Sequence, residues 1–283
     1  MNYRHAFHAG NHGDVLKHVL LTRVLAYLTE KDTALAVLDA HAGIGSYDLT
    51  GIEALKTGEW QGGIGKLLSA KLSIEQAALL SHYLDAVRAL NAEGNFRHYP
   101  GSPLLARTML RQVDRLLLNE LHPVDFQTLV DRFERDPQVR ATSVDAAQAI
   151  KAALPFREKR GLILIDPAFE ETDETTRVSR MVVQALRRMA NVCMMIWYPV
   201  TTQGFADDFV AALMFPGAKS VLRAELVIRE PQENGGLAGS GVVIINPPWT
   251  LHRQATTIMP ALADILGENG QGNHRLEWLL DPK

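Results

Sequence analysis

Two spacings of apolar side chains alternate along the chain. Val15, Val19, Leu20, Val24 and Leu28 recur at helical intervals, which predicts an amphipathic helix over 15–28 whose first turn carries Lys17 and His18. Residues 34–39 are instead an unbroken apolar run ending on Asp39, followed by His41-Ala42-Gly43-Ile44-Gly45, the pattern of a strand entering a glycine loop. From 46 to 110 the spacing is helical: Ser73 and Gln76 have capping-box separation, and Leu80, Tyr83, Leu84, Val87 and Leu90 share a face. Beyond it, apolar runs at 115–120, 139–145, 161–166, 192–198, 220–229 and 241–246 alternate with helical stretches near 124–135, 145–153, 174–190, 203–214 and 252–266. This alternation predicts an α/β fold, a mostly parallel sheet covered on both faces. The last two runs, joined by the Gly/Pro-rich segment 231–240, read as an antiparallel hairpin at the sheet edge. The expected organisation is a core formed by 1–45 and 111–283, with 46–110 as a helical insertion.

Composition narrows the class. At 283 residues and 47% hydrophobic, the chain can bury the core of one large domain plus an insertion, or of two modest domains, which excludes disorder and a disulfide-stapled miniature. With 29 Lys+Arg against 32 Asp+Glu the net charge is −3, so a polyanionic partner must meet a local patch. The single cysteine, Cys193, lies in the apolar run 192–197, which excludes a cysteine-only zinc cage and an internal disulfide and reads as a buried thiol in a reducing compartment. Lys17, His18, Thr22 and Arg23 interrupt the stretch 15–28, which also falls short of the roughly 20 residues of a bilayer span. No signal-peptide pattern is present, so a soluble cytoplasmic protein without membrane contact is expected.

Candidate chemistry collects at strand ends, where open α/β sheets bind their ligands. Asp39, Glu120, Asp145 and Asp166 end successive predicted strands. A carboxylate after the second strand can accept both ribose hydroxyls of a nucleoside, and one after the third can accept from an adenine amine. Both Glu120 and Asp145 have a blander reading as helix caps. Gly43 and Gly45 let the backbone approach a ligand, but Gly43-Ile44-Gly45-Ser46-Tyr47-Asp48 lacks the third small residue of a dinucleotide fingerprint. S-adenosylmethionine (SAM), which has adenosine and no phosphate, fits this pattern better than a nicotinamide cofactor. After the run GLILI comes Asp166-Pro167-Ala168-Phe169. The Asp166 carboxylate and the Pro167 carbonyl can accept both hydrogens of an exocyclic amine, and Phe169 can stack on the base that carries it. Holding an amine this way aims its lone pair at a methyl donor, and Asp166 can take the proton afterwards. The rival Asn246-Pro247-Pro248-Trp249 also follows an apolar run, but Asp166 directly follows the strand after the adenine-reading acid, and order favours it.

These blocks resemble the RlmJ group of 23S ribosomal RNA adenine-N6 methyltransferases nearly end to end: YRHAFHAGNHGDVLKH, LDAHAGIGSYDL, YPGSPLLAR, ELHP, GLILIDPAF, WYPV and SGVVIINPPW. The resemblance implies a class I SAM-dependent methyltransferase fold with a helical insertion, SAM as cofactor, and a monomer that methylates one adenine of protein-poor 23S ribosomal RNA. Carried over by position, His18, His41, Ser102 and Glu120 look like cofactor contacts, alongside the Gly43 loop, while Asp145 and Ala146 meet the adenine ring. Lys17 would pair with the SAM carboxylate, Tyr3 would lie near the substrate base, and Asp166 matches the catalytic acid and a further cofactor contact. Two positions depart from the family pattern: Ala168 replaces a second proline, which loosens the loop while keeping its acceptors, and Ala146 replaces a glycine.

Two other classes stay open at this level. His5, His8, His12, Asp14 and His18 can be read as ligands of a metal-dependent nuclease acting on external DNA, although their spacing matches no metal motif. A catalytically silent SAM- or RNA-binding module is the other, kept open by Ala168 in the catalytic loop; the N-terminal segment, with Arg4, Lys17 and Arg23 against Asp14 alone, also reads as a local phosphate-contact surface. Trp60, Tyr99 and Trp197 read as packing residues and not as base platforms.

Overall fold

Four-residue β1 (Ala36–Asp39) is buried at every position and pairs in parallel on both sides, so it is an interior strand of the sheet. The computed structural model describes residues 4–92, 96–232 and 236–282. Helix α1 (His12–Thr29) precedes β1. Next come β4 (Arg115–Asn119), α6 (Pro123–Phe133), β5 (Val139–Thr142), α7 (Ala146–Ala153), β6 (Gly161–Ile165), α8 (Glu174–Arg188), β7 (Cys193–Val200) and α9 (Gln203–Ala212). Then follow β8 (Val221–Val227), β9 (Gly239–Ile245), α10 (Leu251–Leu266) and β10 (Asn273–Leu280). Between β1 and β4 lie β2 (Ser46–Asp48), α2 (Ile52–Thr57), α3 (Lys66–Ser69), α4 (Ile74–Ala89), β3 (His98–Pro100) and α5 (Ser102–Met109). Among the described residues, the main sheet has eight strands in the order β10-β8-β9-β7-β6-β1-β4-β5.

The pleat splits the core in two. In β6, Leu162 and Leu164 join the side packed by α1, α5 and α10, while Ile163 and Ile165 face α7, α8 and α9. Register fixes the functional edge: Asp39 is level with Leu118 of β4 and Leu164 of β6, so Glu120 and Asp166 emerge together beyond it. The expected mostly parallel sheet with an antiparallel edge strand is present, and Cys193 is buried as read.

Several boundaries differ from expectation. Helix α1 starts a turn earlier than the apolar spacing suggests, because the Asn11 side chain accepts from the N–H groups of Gly13 and Asp14 and caps it. Lys17 and His18 are therefore in its second turn. The β8–β9 pair is antiparallel but internal, since β10 covers β8. The signal for β10 was alternation, Leu276, Trp278 and Leu280 against Arg275 and Glu277, in a strand that is only half-buried. The 139–145 run stops at Thr142, and Asp145 caps α7.

Segment 46–110 carries its own two-stranded ladder, β2 against β3 with Tyr47 opposite Tyr99, and the helices between them. Its turn at 61–65 lies on the N-terminal segment: Ile64 N–H donates to Gly10 O at 2.9 Å, and a Cβ on Gly63 would sit 2.1 Å from that same carbonyl. Helix α5 then returns to the sheet and packs against α1. Among the described residues no helix is long and apolar enough to cross a membrane.

Strand direction also separates the two proline tetrapeptides. Because β9 is antiparallel to β7, with Ile245 opposite Met194, Asn246 leaves the sheet at the edge opposite Asp166. Its side chain is already committed: Oδ1 accepts from Lys219 N–H at 2.8 Å and Nδ2 donates to Ala190 O and Val192 O at 2.9 Å each. Asn246 is a structural tie, and its φ of +50° is one that asparagine tolerates. Asn246→Ala is expected to cost about 2–3 kcal/mol in urea unfolding, through three lost hydrogen bonds and a strained backbone.

Candidate active site

A cavity of about 320 Å³ opens at the carboxyl edge of β1, β4 and β6, within the size range of small-molecule sites. The candidates drawn from the sequence converge there: Lys17 and His18 from α1, His41 and Gly43 from the loop after β1, and Ser102 from α5. Glu120, Asp145, Ala146, Asp166, Pro167 and Ala168 complete that side of the wall. Phe169 is placed elsewhere. At φ +52° its ring turns into an aromatic cluster, edge-on to Phe209 at 5.4 Å, Trp197 at 6.0 Å and Phe205 at 6.1 Å. Tyr3 lies outside the described residues.

Lys17 is the electrostatic centre. Its buried ammonium is 2.8 Å from Asp14 Oδ1 and ion-paired with Asp166 Oδ2. Burial alone would discharge it, but the two carboxylates outweigh that and raise it well above the ordinary lysine range. Asp14 is likewise held well below the usual carboxylate range despite its burial, because His5 and Lys17 face it. Its Oδ2 accepts from the Gly10 N–H at 2.9 Å and lies 2.8 Å from His5 Nε2. The ammonium thus faces Asp166 from within the wall of the cavity expected to receive a cofactor carboxylate.

His18 and His41 are kept neutral by burial. His18 is pushed down to about 3, and its Nδ1 lies 2.7 Å from the Tyr99 hydroxyl, itself 2.9 Å from that of Tyr83. Its Nε2 is buried in the cavity wall, 3.8 Å from Asp14 Oδ1 and without a hydrogen-bond partner among the described residues. His41 is pushed down to about 4, and its Nδ1 accepts the Asp166 N–H at 3.2 Å, which leaves the ring proton on Nε2.

The remaining carboxylates divide the work of shaping the loops. Asp39 sits behind the wall, raised to about 6 by burial, with the Ser102 hydroxyl donating to it at 2.6 Å and the His41 N–H at 3.2 Å. Glu120 accepts from Gly43 N–H and His122 N–H, both at 2.8 Å, and so pins the glycine loop to β4. Gly43 has φ +60° and a Cβ there would lie 2.3 Å from the Tyr47 hydroxyl, so the turn needs glycine. Asp145 is the helix cap that was the blander of its two readings, Oδ1 accepting from Ala147 N–H of α7 at 2.9 Å, while Oδ2 accepts from Arg177 at 3.0 Å. Each oxygen keeps acceptor capacity for a ligand amine. Arg177, missed in the sequence, stands one helical turn after Glu174, the only hint of its place.

The wall suits a cationic adenosine ligand. Carboxylates of residues 120, 125, 145, 166, 170, 171 and 174 outnumber the cations Lys17 and Arg177, and the orphaned His18 nitrogen awaits a partner. It does not suit the histidine-metal alternative. His5 turns to Asp14, His8 to Glu59 at 2.9 Å and His18 to Tyr99, while His12 is buried beside Gly239. Among the described residues no three His, Cys, Asp or Glu side chains gather as a metal cage.

Comparison with known proteins bears on this geometry. A family model described as "RsmJ: Ribosomal RNA large subunit methyltransferase D, RlmJ" matches residues 32–280. Two relatives described as "Ribosomal RNA large subunit methyltransferase J", from Haemophilus influenzae and Escherichia coli, are 39% and 37% identical over 280 residues, 99% of this chain and of each relative. A crystal structure of a Legionella pneumophila protein, 34% identical, matches with a TM-score of 0.86 over 95% of this chain and 98% of that one.

Asp39 carries a pH signature. Its folded value of about 6 exceeds the ordinary 3.9 or so, so the folded state holds a proton that the unfolded chain has released, and stability falls as pH rises between these values. Asp39→Asn is therefore expected to be more stable than the parent at pH 8 by about 2–3 kcal/mol, with the gain gone by about pH 4, in chemical unfolding at the two pH values.

Proposed function

Because the chain belongs to the RlmJ family of ribosomal RNA large subunit methyltransferases, we propose that its cavity binds SAM and that Asp166 and Pro167 present the N6 amine of one adenine for methylation. The substrate in this reading is protein-poor 23S ribosomal RNA in the cytoplasm, and the fold is the class I methyltransferase fold expected of the family. SAM, when bound, supplies a methyl group on a positively charged sulfur.

The observation that carries the assignment is the Lys17–Asp166 ion pair inside the cavity. It fixes one oxygen of Asp166, and Oδ1 has no partner among the described residues. Oδ1 and the adjacent Pro167 carbonyl are thus two acceptors at the end of one strand, which is what an exocyclic amine with two hydrogens requires. Proline adds no N–H to compete for the substrate. The Asp166 N–H is taken by His41, which fixes the start of the loop. Positioning of this kind turns the encounter of amine and methyl group into a near-unimolecular event. As the nitrogen gains its methyl group it must lose a proton, and Asp166 Oδ1 is the acceptor in place, with the charge of Lys17 beside it.

Glu120 and Asp145 fit the two ends of an adenosine: Glu120 stands beside the Gly43 backbone for ribose hydroxyls, and Asp145 with Ala146 opens α7 beside the ring. His18 Nε2 and Ser102 line the same cavity and are the groups left to meet the amino-acid end. An adenine in a helix must leave its stack to reach Asp166, so a loop or single-stranded element is the expected target.

Incubation of the protein with labelled SAM and ribosomal RNA stripped of proteins is expected to label N6 of an adenine. Asp166→Ala should lower the rate by about 10²–10⁴-fold, with SAM affinity within a few-fold of the parent, read by calorimetric titration. Undiminished transfer by the variant would contradict the assignment.

A further inference from the structure

Helix α8 connects the catalytic loop to a part of the surface that the methylation site does not use. Its buried face, which includes Val178, Met181, Val182 and Ala185, packs on the sheet. On the opposite face Arg180 and Arg187 stand seven residues apart, two helical turns or roughly 10 Å along the axis. Together with Thr176, Gln184 and the 61% exposed Met214 beyond α9, they line a shallow groove. Neither guanidinium has an acidic or hydrogen-bonded partner among the described residues. Arg177, nearer the cavity, is by contrast paired with Asp145 and Glu174. The helix dipole accounts for cations in the last turn, where Arg187 and Arg188 lie, but not for Arg180 in the middle of the helix.

The chain is net acidic and the cavity wall is rich in carboxylates, so a polyanion cannot be held by the overall field or by the rim of the site. We propose that the α8 groove is a second contact surface for the substrate RNA, Arg180 and Arg187 each neutralising a phosphate of the strand that leaves the catalytic cavity. This rests on the methylation of RNA proposed above and adds where the backbone is held. Contacts to phosphate carry no sequence information, so the groove supplies affinity and register while the cavity selects the base.

The test compares the full-length parent with the double variants Arg180→Gln/Arg187→Gln and Arg180→Lys/Arg187→Lys, using protein-free 23S ribosomal RNA at a series of salt concentrations. Loss of two phosphate contacts is expected to lower the slope of log affinity against log salt by about 1.4–1.8 in the glutamine variant and to raise the KM for RNA several-fold. The lysine variant, which keeps both charges, should retain most of the slope, and SAM affinity should be unaffected in both. A parent-like slope and KM in the glutamine variant, while the parent methylates normally, overturns the groove and leaves the functional reading intact. Loss of the slope in the lysine variant as well also overturns it. A parent that neither binds nor methylates the RNA overturns the functional reading, and the groove with it.

Discussion

A lysine ammonium buried between two carboxylates organises this site. Lys17 can stay charged in the interior only because Asp14 and Asp166 face it, and the removal of one partner from such a buried set typically costs several kcal/mol. The arrangement therefore ties α1 to the loop after β6 and leaves Asp166 one defined orientation. Around it, His18 and His41 are kept neutral by burial, so they act as fixed hydrogen-bonding groups and do not add charge next to the pair.

That centre depends on parts of the chain far from it in sequence. Asp14 is placed by the Asn11 cap at the start of α1 and held by Gly10 and His5. Gly10 is in turn pinned by Ile64, and both His8 and Asn11 bond to Glu59. Segment 46–110 thus braces the N-terminal residues that carry the counter-ion of Lys17. On the sheet side, in-register pairing of β1 with β4 and β6 is what brings Asp39, Glu120 and Asp166 to one edge. The aromatic cluster that takes Phe169 backs the loop after β6 from the other face and is continuous with Tyr198 through Phe209.

The acids at strand ends were legible in the sequence because a parallel sheet converts the order of strands into positions along one edge. Asp166 could be preferred to Asn246 on order alone; the physical reason, the reversed direction of β9, is visible only in the pairing. Long-range partners were not legible. Nothing in the spacing of Asp14 and Asp166 joins them through Lys17, and Arg177 reads as one more helix cation until α8 is seen beside Asp145. Phe169 looked like a stacking platform because an aromatic ends the tetrapeptide, yet its positive φ sends the ring inward. The start of α1 and the whole of β10 were missed where capping chemistry and a half-exposed alternation replaced the strong apolar runs that marked the other elements.

In the proposed reaction Asp166 Oδ1 and the Pro167 carbonyl grip an adenine amine while Lys17 holds the other carboxylate oxygen. A crystal structure of the protein with S-adenosylhomocysteine and adenosine tests it most directly. The N6 nitrogen is expected within about 2.7–3.2 Å of both acceptors, with the Lys17–Asp166 pair intact. Adenosine density that leaves N6 away from residues 166 and 167, or an Asp166 side chain swung off Lys17 toward another partner, would contradict it.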